Sequence, residues 1–120
     1  MPTYSLRTNF SDYTSDEISI SLFEKHINIL LYSGVYDFMV LCADKPIQHS
    51  TFIQAVCPEE ITDYKFIIEI GFHDNQSELE MYRYYNHNQD DVLQYFIDYW
   101  KEQKIPDISS WEDVSWELRG

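Results

Sequence analysis

His49-Ser50-Thr51 and His73-Asp74 hold the side-chain types of a nucleophile, a general base and an orienting acid. Both fall in segments read as turns, where His, Ser and Asp are common because they are polar and tolerate turn geometry, so no catalytic set is expected from them. Metal ligation would draw on Cys42, His49, Cys57, His73 and His87. No pair among these has the short separation with which a hairpin or helix presents two zinc ligands, and no metal is expected. Glu59-Glu60 and Asp90-Asp91 offer paired carboxylates for acid–base work, but adjacent residues diverge on a helix, which suits a solvated surface or a helix cap better. Gly34, Gly71 and Gly120 are isolated, so no phosphate-cradling loop and no nucleotide cofactor is expected. His26 falls within the apolar side of a helix and reads as a core histidine with its hydrogen bond satisfied, and the chain is not expected to be an enzyme.

The elements that would position these residues follow from apolar spacing. Tyr4, Leu6 and Phe10 among polar neighbours suggest a short edge strand within residues 3–10. Thr14 and Glu17 have the spacing of a capping box, which starts a helix near Ser15. Ile18, Leu22, Phe23, Ile27, Ile29 and Leu30 recur at helical spacing, opposite Glu17, Ser21, Glu24, Lys25 and Asn28, and Gly34 is a helix stop. The competing reading is a strand over residues 18–22, whose alternation has period two.

Three apolar runs follow, Tyr36 to Ala43, Thr51 to Cys57 and Tyr64 to Phe72, separated by segments carrying Pro46 and Pro58, and all three read as strands. In the third, Phe66, Ile68, Ile70 and Phe72 share the buried face. Glu78 to Tyr85 pairs back as a hairpin strand, with Leu79 and Met81 expected inward and Glu80, Tyr82 and Tyr84 outward. Asn88 caps a second helix whose apolar stripe is Val92, Leu93, Phe96, Ile97 and Trp100, ending before Pro106. Val114, Trp116 and Leu118 have the spacing of a last strand. The expectation is one α+β domain over residues 1–120, a curved and mainly antiparallel sheet of four to six strands packed by two helices.

Charge is the strongest global signal: 21 acidic residues against 8 basic ones give a formal net charge of -13. Such a field repels nucleic-acid phosphates and anionic membranes and draws in a basic protein. With 44% hydrophobic and 17% aromatic residues the chain can bury enough apolar surface to fold. Cys42 and Cys57 sit in apolar runs and read as reduced core residues. The N-terminal residues lack a basic stretch followed by an apolar run, and no segment has a membrane span's length, so a cytoplasmic location is expected.

Within this acidity one pattern is local. Asp91, Tyr95, Asp98 and Glu102 fall on a single stripe of the second helix, with Tyr99 at its border. Glu78, Glu80, Tyr82 and Tyr84 on the hairpin repeat the composition, as do Glu112, Asp113 and Trp116 in the tail. Acids steer a basic partner and Tyr and Trp supply contact area, so these twelve residues are the candidate partner-binding set. The competing reading has the tyrosines covering sheet surface and the acids keeping it soluble.

The second half of the chain resembles the small immunity proteins of bacterial polymorphic toxin and contact-dependent growth inhibition systems. The resemblance rests on Phe66-Ile67-Ile68-Glu69-Ile70-Gly71, a hairpin strand, Val92-Leu93-Gln94-Tyr95-Phe96, Pro106 and Trp111, and earlier on Thr14-Ser15-Asp16-Glu17 before an apolar helix. It implies a non-enzymatic blocker of a toxin domain, often a nuclease or another toxin with a basic groove. Two rival classes remain: a small ligand-binding or enzymatic domain with a pocket near His49, His73 or Asp74, and an acidic adaptor that docks a basic partner without inhibiting it.

Overall fold

The computed structural model describes residues 3–31, 37–57, 66–73, 79–86 and 88–119. Its strands are β1 (Tyr4–Thr8), β2 (Asp12–Tyr13), β3 (Phe38–Ile47), β4 (Ser50–Val56), β5 (Phe66–His73), β6 (Leu79–Asn86) and β7 (Glu112–Asp113). The helices are α1 (Ile20–Leu31), α2 (Gln89–Ile97) and the single turn α3 (Trp116–Arg119). All strands pair antiparallel in one open sheet, in the order β2-β1-β3-β4-β5-β6-β7. The α+β reading with two main helices holds, but among the described residues the sheet has seven strands where four to six were expected.

The additional strands are two-residue edges that carry no hydrophobic period. β2 arises because the Thr8 hydroxyl accepts the N–H groups of Phe10 and Ser11 and folds the chain back on β1, so β1 is not the edge. β7 pairs with Tyr82 and Arg83. The expected last strand over Val114 to Leu118 is replaced by α3, since Ser115 leaves the sheet by capping on Asp113 and bonding Met81.

Thr14 and Glu17 do make reciprocal contacts, the Glu17 carboxylate accepting from the Thr14 N–H at 3.0 Å. They close only a 3-10 turn over Ser15–Glu17, after which Ile18 returns to an extended backbone and is buried. The helix therefore starts later than expected, with the Ser19 hydroxyl accepting from the Leu22 N–H. In α1 the buried side chains are Phe23, His26, Ile27 and Leu30, which settles the helix against the strand reading.

β3 runs on through Pro46, expected to lie in a loop, because its regular pairing with β4 stops at Cys42 and resumes at Ile47. That irregularity leaves Pro46 without a ladder bond to make. A two-residue turn at Gln48 and His49, both with positive φ, then closes the hairpin.

Both main helices cover one face of the sheet. Leu6, Met39, Leu41, Ile53, Ile68 and Ile70 point to them and are fully buried, and Phe96 of α2 meets Phe23 of α1 at 5.7 Å between ring centres. Each such side chain contributes about 1.5–3 kcal/mol by leaving water. No helix among the described residues is long and apolar enough to cross a membrane.

Register corrects the expected faces of β6. Ile68 stands opposite Tyr84 and Ile70 opposite Tyr82, and paired residues share a face, so both tyrosines turn toward the helices. Met81, Arg83 and Tyr85 lie on the outer face, where Met81 is buried as expected, but beside Ser115 and α3 and not under the two main helices.

Candidate functional site

The site begins at the start of α2. The Asn88 side chain accepts from the N–H groups of Asp90 and Asp91, which satisfies two donors of the first turn and fixes both carboxylates at the positive end of the helix dipole. After Ile97 the helix continues as one π-helical turn, Asp98–Glu102, and Gln103 ends it in the left-handed conformation. The Lys104 N–H bonds back to the Asp98 carbonyl at 3.1 Å, and the chain returns alongside α2. Ile105 and Ile108 hold this return against the core, and the Trp111 ring stacks on Tyr84 at 5.5 Å and meets Tyr95 edge-on at 5.9 Å.

Two adjoining hollows result. One, of about 440 Å³, lies between α2 and the return, with Asp91, Gln94, Asp98, Lys104 and Asp107 on its walls. The other, of about 410 Å³, lies between the start of α2, the end of β6 and the chain entering β7, with Arg83, Tyr85, Asn86, Asp91 and Glu112 around it. Asp91 lines both, so the hollows flank it on either side and make a groove surface edged by four carboxylates: Asp91, Asp98, Asp107 and Glu112. Asp98 accepts from Gln94 at 2.8 Å, and Asp107 is held below the usual carboxylate range by the backbone and side chain of Ser109. Among the described residues none of the four is within ion-pairing distance of a cation. Of the two cations lining the groove, Arg83 is engaged by Glu69 and Glu117. The arrangement can receive long basic side chains in a concave, negatively charged channel.

The sequence-predicted set divides. Asp91, Tyr95, Asp98 and Glu112 meet in the groove, and Glu102 is exposed at the end of the same helix. Tyr95 is half-buried, and burial first, then Tyr84 and Asp91, push its hydroxyl up, so it is neutral. Glu80, Tyr82 and Asp113 gather at the β6–β7 edge, where burial and then the charges of Glu80 and Asp113 raise the Tyr82 hydroxyl. Tyr82 packs on Phe72 and Tyr84 on Trp111, so neither is the outward residue expected. Tyr99, expected at the border of the stripe, is 0% exposed: its hydroxyl shares a hydrogen bond with Ser50 at 3.0 Å in the core. Its position three residues after Phe96 and seven after Val92 carried that information. Trp116 is 68% exposed on α3, beside Glu117, and lines neither hollow. Glu78 lies outside the described residues, as do Glu59, Glu60, Asp74 and His87.

Asp107 is a groove residue that the pattern missed, because it follows Pro106 in a stretch without periodicity. Glu69 was the stronger clue overlooked. A carboxylate in the middle of an apolar strand requires a partner, and the hairpin register supplies Arg83 directly opposite.

His26 is buried and shares a hydrogen bond with the Tyr13 hydroxyl at 2.9 Å. The Cys57 thiol donates to the Leu30 carbonyl, Cys42 is half-buried, and burial raises both thiols. His49 and His73 are exposed and adjacent only through a backbone bond. Among the described residues no three of His, Cys, Asp and Glu converge to hold a metal. The chain matches no protein-family model, no curated protein and no solved structure.

Proposed function

We propose that this chain is an immunity-type binding protein that neutralises a toxin domain by occupying its basic groove. The observation that carries the reading is the set of carboxylates Asp91, Asp98, Asp107 and Glu112 edging these hollows, none of which has a cation within ion-pairing distance among the described residues, in a chain of net charge -13. Carboxylates held along a rigid helix and its return mimic the spaced charges of a phosphate backbone. They draw a basic surface in quickly and keep nucleic acid out. The resemblance to immunity proteins supports the same reading, and in it the chain has no catalytic role, cofactor or metal.

The test is affinity capture of the tagged full chain from the lysate of its native cell, at low and then high salt. One basic domain recovered at equal stoichiometry, with its activity blocked, is the expected result; recovery without loss of activity makes the chain an adaptor. Recovery of no macromolecule at either salt overturns docking. With the partner in hand, Asp98→Lys with Glu102→Lys should slow association at least about tenfold and flatten its salt dependence. Unchanged kinetics would remove this face.

A further inference from the structure

The two walls of the groove carry charge of the same sign. Residues 89–102, which form α2 and its π-helical turn, hold Asp90, Asp91, Asp98 and Glu102 against one lysine, Lys101. The chain from Lys104 to Glu117 holds Asp107, Glu112, Asp113 and Glu117 against Lys104 alone. A hollow of about 440 Å³ is about 9 Å across, near the Debye length of roughly 10 Å at 0.1 M salt, so Asp91 and Asp98 feel Asp107 across it. Holding the walls together therefore costs electrostatic free energy. The second wall is fastened to β6 by short pairings. The Val114 N–H bonds the Met81 carbonyl at 2.8 Å, the Ser115 hydroxyl accepts from the Met81 N–H at 2.9 Å, and β7 pairs with Tyr82 and Arg83. Ile105 and Ile108 pack on the core, Trp111 lies against Tyr84 and Tyr95, and the Glu117 carboxylate accepts two bonds from Arg83.

We propose that the segment from Lys104 to Glu117 is a strap that opens as a unit on the free chain, and that the repulsion across the groove sets how often it opens. Two opposed effects act on it. Glu117 on Arg83 and Ser115 on Met81 latch it shut, while Asp107 and Glu112 are pushed off by Asp91 and Asp98. β7 pairs over two residues where β5 and β6 pair over their whole length, so the strap detaches at a lower free energy than the sheet. Opening carries Asp107 and Glu112 off the groove and bares Met81, which is buried beside Ser115. A basic partner seated between the walls cancels the repulsion, so docking and closure reinforce each other. That coupling rests on the docking reading above, whereas the opening belongs to the chain by itself.

Amide hydrogen exchange of the full chain, read residue by residue by NMR, tests this without a partner. The Val114 N–H should exchange at least about tenfold faster than those of Ile68 and Ile70, which open only with the sheet. Asp107→Asn with Glu112→Gln removes the repulsion at two exposed positions and should slow Val114 at least about threefold, with Ile68 unchanged. Glu117→Gln removes the latch and should speed Val114 at least about threefold. Val114 exchanging at the rate of Ile68 overturns the strap, because the segment would then open only with the whole fold. A Val114 rate indifferent to the two neutralised carboxylates overturns it as well. Failure to capture a basic partner leaves both rates untouched, so the docking reading and the strap fall separately.

Discussion

Glu69 and Arg83 face each other across β5 and β6, and the carboxylate, 5% exposed, has its two oxygens taken by the guanidinium and by Gln54. Burial alone would lower the Arg83 pKa, but the hydrogen bonds that the guanidinium donates to the Glu117 and Glu69 carboxylates, and their charges, outweigh burial and raise it, so the group stays charged. Removing one member leaves a buried charge without its partner. Arg83→Met should therefore cost about 3–5 kcal/mol in urea denaturation, and adding Glu69→Leu should return most of the loss. A single variant costing under about 1 kcal/mol would show that water reaches Glu69 freely.

Gly71 allows the Phe52 ring to lie over the backbone of β5. A Cβ built there would stand 2.0 Å from Phe52 Cε1. Gly71→Ala should push the ring off the sheet and cost about 1–2 kcal/mol. In a Phe52→Ala background the same change should be neutral or stabilising by up to about 1 kcal/mol, because glycine inside a strand is itself unfavourable. A double-mutant cycle measures the difference, and additive effects would mean that the ring does not depend on the glycine.

His26 gives the fold an acid-sensitive term. Burial, then the charge of neighbouring Lys25, lowers its pKa below the ordinary histidine value. The unfolded chain therefore takes up the proton first as pH falls. The contribution is fully present above about pH 6.5 and is lost as pH drops from there toward the folded pKa. Thermal melts between neutral and mildly acid pH should show the wild type losing more stability than His26→Gln. Parallel curves would mean that the imidazole stays neutral in both states or titrates alike in both.

The hydrophobic periods made β3 to β6, α1 and α2 legible because each has to bury one side, and two periods, 2.0 and 3.6, say which elements do so. The face of β6 was not legible, because Tyr82 and Tyr84 are as suited to an interior as Met81. What decides is the partner strand: Ile68 and Ile70 already face the helices, and register places the two tyrosines beside them. β7 and the return through residues 103–111 were not legible either. Nothing periodic marks two paired residues, or a segment anchored by one stacked tryptophan. Half of the groove was therefore visible in the stripe of α2, while Asp107 on its opposite wall was not.

Tyr99 and Asp98 are adjacent in sequence and should separate cleanly by experiment. The Tyr99 hydroxyl lies among Ser50 and the Gly71 carbonyl that Ser50 also reaches, and burial raises its pKa well above the ordinary phenol value. Tyr99→Phe removes one buried hydrogen bond while Ser50 keeps its other partner, a loss of about 0.5–1.5 kcal/mol. The raised pKa adds a sign that a packing change lacks. Its contribution is fully present below about pH 10 and fades as pH rises from there toward the folded value, because only the unfolded phenol ionises. The wild type should lose this part of its stability in alkali and the Phe variant should not. Asp98→Asn, at the groove wall, should leave stability within about 0.5 kcal/mol and instead slow the encounter with a basic partner. If Tyr99→Phe changed association while leaving denaturation untouched, the phenol would belong to the binding surface after all, and α2 would have to present a different face in solution.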